Sequence, residues 1–488
     1  DYVHLIGDRS AYENAPGPGS VLQAEVGVSI WPNAPHADYL YGCLEGGDHY
    51  PDVGISRWPG GSRNMVELMA GRTLGYEATP YMEDTSWFTR GGIYSQHWGN
   101  GPNSWNVVIH TNVRWGEEVL KHLGFDDILF YENYEWDQNG QEVAAPIRRM
   151  LNEQSNITMG RAEIYYYSTR NRNGQASFDN EIDENVVFPI DINTNGHGEW
   201  GRESMYRNGS GDNLQGWVTT ANGWGWTPTG IMNSLWLEMV NSIVLRQIPY
   251  GWGYTQSIIA FELYFPDFQN RGRGVYLHCK TDYSTFADPG IIPWRGVPQI
   301  VEADFPETIS PQTSLVEVEV FDPENDSPIQ GAQVTFYLPG DMPDYDDDDY
   351  AEYEEMKMFT VLTDAAGKAV FVFDENFEFE GSEALVTVTG QQIVPFFGEI
   401  DIRNNQAAID LSSVILEQRE GNDDDNVNPG ERFAIRITAV NLGNNDTIED
   451  VTAILRSSSP WLEIENPNLD FGDIGADEEV VSENRPIL

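Results

Sequence analysis

At 488 residues the chain exceeds what one hydrophobic core fills, because cores stop growing near ~250–300 residues, and three domains are expected. Its 78 acidic against 27 basic residues give a formal charge of −51, which repels nucleic acid and anionic lipid and excludes both as partners. Aromatic residues at 12%, with 15 Trp and 23 Tyr, separate this acidity from that of a core-poor disordered polymer. The charge reads instead as a surface adapted to salt or cations, with a basic complement that is nearly all Arg and suited to fixed bidentate pairing.

The first residues, Tyr2-Val-His-Leu-Ile-Gly-Asp8, read as a buried strand running into a polar loop. That is an abrupt opening for a natural chain, and upstream sequence, with any export leader, is expected to have been removed. No run of ~18 or more apolar residues is present, which excludes a membrane-spanning helix. Helices are predicted over Arg63 to Tyr76, Ala144 to Glu153 and Ile231 to Arg246, each with apolar residues three and four apart. Val107-Val-Ile-His110 is read as a strand, Trp115 to Leu123 as a helix and Ile128-Leu-Phe-Tyr131 as a strand. Such alternation predicts an α/β domain over residues 1–300.

After Pro298 the pattern changes to period-two strands, such as Leu315-Val-Glu-Val-Glu-Val320 and Ala332-Gln-Val-Thr-Phe-Tyr337, separated by turn clusters. This is the pattern of β-sandwiches, and two are predicted, over 301–403 and 404–488. The block from Asp341 to Glu355 between two of these strands is a solvated acidic loop. In the second sandwich Ile409 to Leu416 and Phe433 to Val440 read as strands. The last strand signals, from Trp461 to Phe471, run out near Leu488, and the natural protein is expected to continue.

The loop between those strands, Gly421-Asn-Asp-Asp-Asp-Asn-Val-Asn-Pro-Gly-Glu431, carries Asp423, Asp425 and Glu431. Hard oxygen donors of this kind suit Ca²⁺, the one cofactor considered; the bland alternative is an Asp-rich solvated turn. Cys43 and Cys279 lie far apart with no metal-type spacing and read as small buried hydrophobes, although one bridge between them is open.

Catalysis by a cysteine peptidase needs a thiolate, a histidine within hydrogen-bond reach and oxyanion donors. Asn195-Gly-His197-Gly-Glu-Trp200 follows the apolar run Val186 to Ile192, so His197 stands in a glycine-flanked loop at the C-terminal end of a strand, where α/β active sites gather. With this loop the chain resembles peptidase family C25, the gingipain family of the caspase-like clan, whose catalytic His lies in a Gly-His-Gly loop.

Asp48-His-Tyr-Pro-Asp-Val-Gly-Ile-Ser-Arg57 is similar to that family's Asp-x-x-Pro-Asp-x-x-x-Gly-Arg segment, with Ser56 for Gly. Tyr2 to Asp8, the helix running to Tyr76-Glu77, Trp87, Arg90 and Ala287-Asp-Pro289 continue the resemblance. It implies a caspase-like α/β fold, with immunoglobulin-like sandwiches following it. The nucleophile element, Ala-Cys-x-x-Gly, falls on Trp217-Val-Thr-Thr-Ala-Asn-Gly223, which puts Thr220 at the cysteine position. An internal Thr lacks the N-terminal amine that activates side-chain Thr nucleophiles. The resemblance therefore implies a secreted or cell-surface pseudoenzyme with His197 as a vestigial base, serving as a scaffold that associates with itself or with other surface proteins. Two alternatives stay open: an active cysteine endopeptidase using Cys279, and a carbohydrate-binding or adhesion protein using exposed Trp.

Overall fold

The computed structural model describes residues 1–7, 24–25, 36–46, 50–58, 63–96, 104–133, 149–150, 153–161, 190–194, 220–222, 229–264, 284–340, 356–373, 377, 379, 381–403, 409–422, 427–442, 447–457, 459 and 461–488. They form two compact units, Asp1–Pro298 and Gln299–Leu488.

The first unit contains β1 (Tyr2–Ile6), β2 (Gly54–Trp58), α1 (Arg63–Glu77), β3 (Arg90–Gln96), α2 (Ser104–His122), β4 (Asp127–Asn133), β5 (Ile157–Arg161), β6 (Ile190–Thr194), β7 (Thr220–Asn222), α3 (Thr229–Met239), α4 (Tyr250–Tyr264) and β8 (Ser284–Phe286). One four-stranded sheet has the order β1-β2-β8-β7 and a second β4-β3-β5-β6, beside a two-stranded ribbon of Ala24–Glu25 with His36–Ala37. The second is parallel throughout; the first is parallel except where β7 runs against β8. Both faces of a parallel strand are covered by crossover elements, and β2 is accordingly buried along its whole length. β1 is an edge strand with Tyr2 and Ile6 exposed, a correction to its reading as buried.

Val107–His110 belongs to α2, not to a strand. Ile109, Val113, Gly116 and Leu120 are buried at intervals of three and four residues, so the longer helical period overrides the local β-branched run. Helix α4 escaped the sequence reading because Tyr250-Gly-Trp-Gly-Tyr254 is a poor helix former. Both glycines are required by packing: a Cβ on Gly251 would stand 2.7 Å from Pro289 Cβ, and one on Gly253 2.3 Å from Ile243 Cγ1. The helix predicted over Ile231 to Arg246 is α3 extended by a π-helical segment, Val240–Leu245. Arg295 donates to the carbonyls of Val244 and Leu245 where this segment ends. Most of the helix predicted over Ala144 to Glu153 lies outside the described residues. Among the described residues no helix is long and apolar enough to cross a membrane.

Two polar assemblies tie this unit together. Arg57 and Asp38 are buried, and the guanidinium grips the carboxylate with Nε at 3.0 Å and Nη2 at 2.8 Å. Its Nη1 donates to the Gly7 carbonyl at 2.8 Å, where β1 ends, and the Arg57 carbonyl accepts the Ala287 N–H at 3.1 Å. In the second assembly, Tyr76 Oη donates to Asn156 Oδ1 at 2.6 Å. Asn156 Nδ2 in turn donates to the carbonyls of Phe88 (2.8 Å) and Trp294 (2.7 Å), and the Trp294 indole donates to the Tyr76 carbonyl at 2.8 Å. Next to Tyr76, burial pushes the Glu77 carboxyl up to about 7; the Asp288 carboxylate adds to the push and the Ile292 N–H opposes it. Burial also lowers the His4 imidazole, against the pull of Asp288, and the ring packs edge-on to Trp58 at 4.4 Å.

The second unit is strand-rich: β9 (Glu302–Asp304), β10 (Thr308–Ile309), β11 (Leu315–Asp322), β12 (Ser327–Pro328), β13 (Gln333–Leu338), β14 (Lys357–Leu362), β15 (Lys368–Val372), β16 (Glu383–Thr389), β17 (Phe396–Ile402), β18 (Ile409–Glu420), β19 (Arg432–Asn441), β20 (Ile448–Ile454), β21 (Asn468–Ile474) and β22 (Glu479–Val481). A sheet β9-β11-β12, with β15 also paired to β11, and a five-stranded sheet β10-β17-β16-β13-β14 share one core. Period-two burial supplies it: Val316, Val318 and Val320 from β11, and Val334 and Phe336 from β13, are fully buried. Phe336 meets Phe371, Phe373 and Phe379 at 5.5–5.8 Å. A separate core lies between β18-β19-β22 and β20-β21. Trp461, read as lying in the last strands, precedes β21 and is 94% exposed.

Removing one partner of a buried ion pair strands the other charge. Asp38→Ala is therefore expected to cost about 3–5 kcal/mol in urea unfolding of the first unit, whereas Arg63→Ala, which breaks the exposed Arg63–Glu67 pair, costs under about 1 kcal/mol. Glu77 ionises near 7 in the fold against an ordinary 4.5, so the folded chain holds the extra proton between those values and loses stability as pH rises through them. Glu77→Gln is expected to raise the melting temperature at pH 8, by up to about 3 kcal/mol of stability, and to change little below pH 4.5.

Candidate active site

The strand register assembles one end of the first unit. β1 and β2 are parallel with Ile6 opposite Trp58, and β8 joins them in parallel through Phe286 opposite Arg57. β7 is antiparallel to β8 and sets Thr220 opposite Phe286, so Thr220 stands at the C-terminal edge of the parallel strands. β6 runs alongside β7 and ends at Thr194, three residues before His197. The topology thus brings the strand that leads into the His197 loop beside the strand that opens with Thr220, at the edge where open α/β sheets place their chemistry. His197 itself, like Cys279, lies outside the described residues.

The described part of the segment Asp48 to Arg57 runs up to this edge, and three of its side chains are held by neighbouring elements. Asp52 Oδ2 accepts the N–H groups of Leu44 (2.7 Å) and Glu45 (2.8 Å), fixing the turn after Cys43. Ser56 Oγ donates to the Thr285 carbonyl at 3.2 Å, and Thr285 Oγ1 returns to the Ile55 carbonyl at 3.3 Å. Arg57 closes onto Asp38 and Gly7 as described above. Beside Asp38, the Tyr39 hydroxyl is pushed well above its ordinary range by burial, with Cys43 and Glu262 adding to it. Cys43 is half-buried, and its Sγ donates to the Tyr39 carbonyl at 3.6 Å.

A further polar group lies near the C-terminal end of β4. His110 Nδ1 is 2.7 Å from Glu132 Oε1, Arg114 Nη2 is 3.5 Å from Glu132 Oε2, and the Arg114 guanidinium covers the Phe130 ring at 3.8 Å. Reading His110 as a strand residue hid this pair, which needs a helical His110 lying against β4.

Of the loop considered for Ca²⁺, Asp423 and Asp425 lie outside the described residues. Glu431 is described, and both of its oxygens are engaged by the loop's own backbone: Asn422 N–H on Oε1 and Asn428 N–H on Oε2, each at 3.0 Å. Among the described residues no group of three or more His, Cys, Asp or Glu is placed to hold a metal ion.

Residues 1–198 match the model of the family described as Peptidase family C25. Among solved structures, the chain is similar to the Arg-specific cysteine proteinase gingipain R (RgpB) at 17% identity, covering 82% of this chain and 84% of that one, with a TM-score of 0.56. A complex of Porphyromonas gingivalis RgpB pro- and mature domains gives 17% identity, 82% and 85% coverage and a TM-score of 0.57. A structure titled only as a protease gives 14%, 82% and 82%, and 0.51. At these identities the likeness is one of fold. No curated protein matches the chain. The sequence match to peptidase family C25 over residues 1–198 and the shared fold together make the N-terminal part of this chain gingipain-like.

Proposed function

We propose that the chain is an exported, extracellular or cell-surface protein whose gingipain-like domain has lost peptidase activity and serves as a structural scaffold. The observation that carries this reading is Thr220. It occupies the place of the family's cysteine in Val218-Thr-Thr-Ala-Asn-Gly223, and its strand lies beside the strand leading to His197. A Thr hydroxyl ionises far less readily than a thiol, and a Thr inside the chain has no amine of its own to take the proton. Without a thiolate at this position, acyl transfer has no nucleophile to start it.

Residues 301–403 and 404–488 are read as two immunoglobulin-like sandwiches following a domain of residues 1–300. The buried alternation of β11, β13 and β19 supports this reading. Chained sandwiches add contact surface without adding chemistry, which suits a scaffold. The charge of −51 keeps such a surface soluble and clear of nucleic acid.

The purified chain, assayed on Arg- and Lys-containing peptides with and without a reductant, is expected to give no thiol-dependent cleavage, and Cys279→Ala is expected to behave identically. Cleavage that a reductant activates and Cys279→Ala abolishes would overturn the reading and make Cys279 the nucleophile.

A further inference from the structure

Among the described residues, β18 pairs along one side only, with β19, and leaves its sheet open at the other edge. Directly opposed residues share a face. Leu411, Val414 and Leu416 oppose Ala439, Ile437 and Ile435, which form the core of this part of the chain. Yet Ile435, Ile437 and Ala439 are 5%, 3% and 0% exposed, while Leu416, Val414 and Leu411 are 45%, 56% and 53% exposed. Among the described residues the facing sheet has only β20 and β21, and the core side of β18 stays half-exposed. On its other side Ile415 is 43% exposed.

Edge strands are ordinarily blunted by Lys, Pro or bulges. The bulges of β18 fall at Leu411/Ser413 and at Gln418/Glu420, so the run Ser413-Val-Ile-Leu-Glu-Gln418 between them is regular and carries neither Lys nor Pro. Its single charge, Glu417, is compensated by Arg419 at 2.9 Å, Arg485 at 3.0 Å and Arg436 at 3.5 Å. Local charge therefore does not bar two copies from meeting here, despite the −51 of the whole chain.

We propose that this edge is a two-fold contact between two copies of the chain, in which Ser413–Gln418 of each pairs antiparallel with the same run of the other about an axis at Ile415. A two-fold axis between edge strands sets each residue opposite one of the same face, which restricts the register to centres on a residue. Centred on Ile415, Val414 opposes Leu416 of the other copy on the core side, Ile415 opposes itself, and Glu417 meets the Ser413 hydroxyl. A centre at Glu417 sets two carboxylates face to face. Centres at Leu416 and Val414 set Glu417 against Ile415 and Leu411, and one at Ser413 sets Leu416 against Asp410. Only the Ile415 register pairs apolar with apolar on both faces. The contact is separate from the scaffold reading and holds whether or not residue 220 carries chemistry.

Sedimentation velocity of the full chain over a hundredfold concentration range tests this. The wild type is expected to show a monomer–dimer equilibrium. Ile415→Lys, which brings two ammonium groups together on the axis, should weaken that equilibrium at least tenfold while leaving the melting temperature unchanged. Under mild oxidation Ile415→Cys should form a covalent dimer, and Ser412→Cys, opposite Gln418 in this register, should not exceed the wild-type background from Cys43 and Cys279. A wild type that stays monomeric overturns the proposal, and so does a dimer that Ile415→Lys leaves intact and Ile415→Cys fails to cross-link. In a monomer, strong protection from hydrogen exchange of those Ser413–Leu416 amides that point away from β19 would overturn the proposal by showing the edge covered by something other than a second copy.

Discussion

The Arg57–Asp38 pair is the constraint around which the first unit is arranged. A guanidinium buried without compensation is prohibitive, and three elements supply what Arg57 needs: the carboxylate of Asp38, the Gly7 carbonyl where β1 ends, and the β2–β8 ladder that engages its own carbonyl. Because each partner comes from a different part of the chain, satisfying Arg57 fixes the ends of three elements at once. Those ends belong to the edge at which β7 begins with Thr220. The ion pair does no chemistry; it makes the geometry of that edge a matter of electrostatics as well as packing.

Much of this was legible in the residues. The strands of the second unit declared themselves because one face of each packs on a core, and alternation is what half-burial looks like in a sequence: Val316, Val318 and Val320 are buried, with half-exposed glutamates between them. The resemblance to family C25 over the first part of the chain was legible because segments such as Asp48 to Arg57 are local patterns. Asp38 was not. It lies nineteen residues before Arg57, and nothing near it distinguishes it from the many other carboxylates of so acidic a chain. Glu77 was equally hidden, since its raised ionisation depends on Asp288 and Ile292 arriving from the far end of the unit. Short-range propensity misleads twice: it makes Val107–His110 look like a strand and leaves Tyr250–Tyr264 without a helix signal, whereas long amphipathic packing decides the first and close contact with Pro289 and Ile243 the second.

The two units manage their sheet margins differently. In the first, the described edge strands run to seven residues at most. In the second, β18 is twelve residues long and carries half-exposed apolar side chains on both faces.

The Tyr76–Asn156–Trp294 assembly also governs how the chain can be made. Its contacts span 80, 138 and 218 residues of sequence, and β8, which closes the first sheet, begins only at Ser284. Long loops must close before such contacts return anything, which slows folding. During synthesis, β1 and β2 would emerge long before Phe286 and Trp294, leaving the Asn156–Trp294 bond and the β2 margin unmade until nearly 300 residues have left the ribosome. The stretch recognisable as family C25 at residues 1–198 is thus shorter than the stretch that can fold. A chain cut anywhere between the two should collect as a sticky intermediate rather than as a smaller version of the domain.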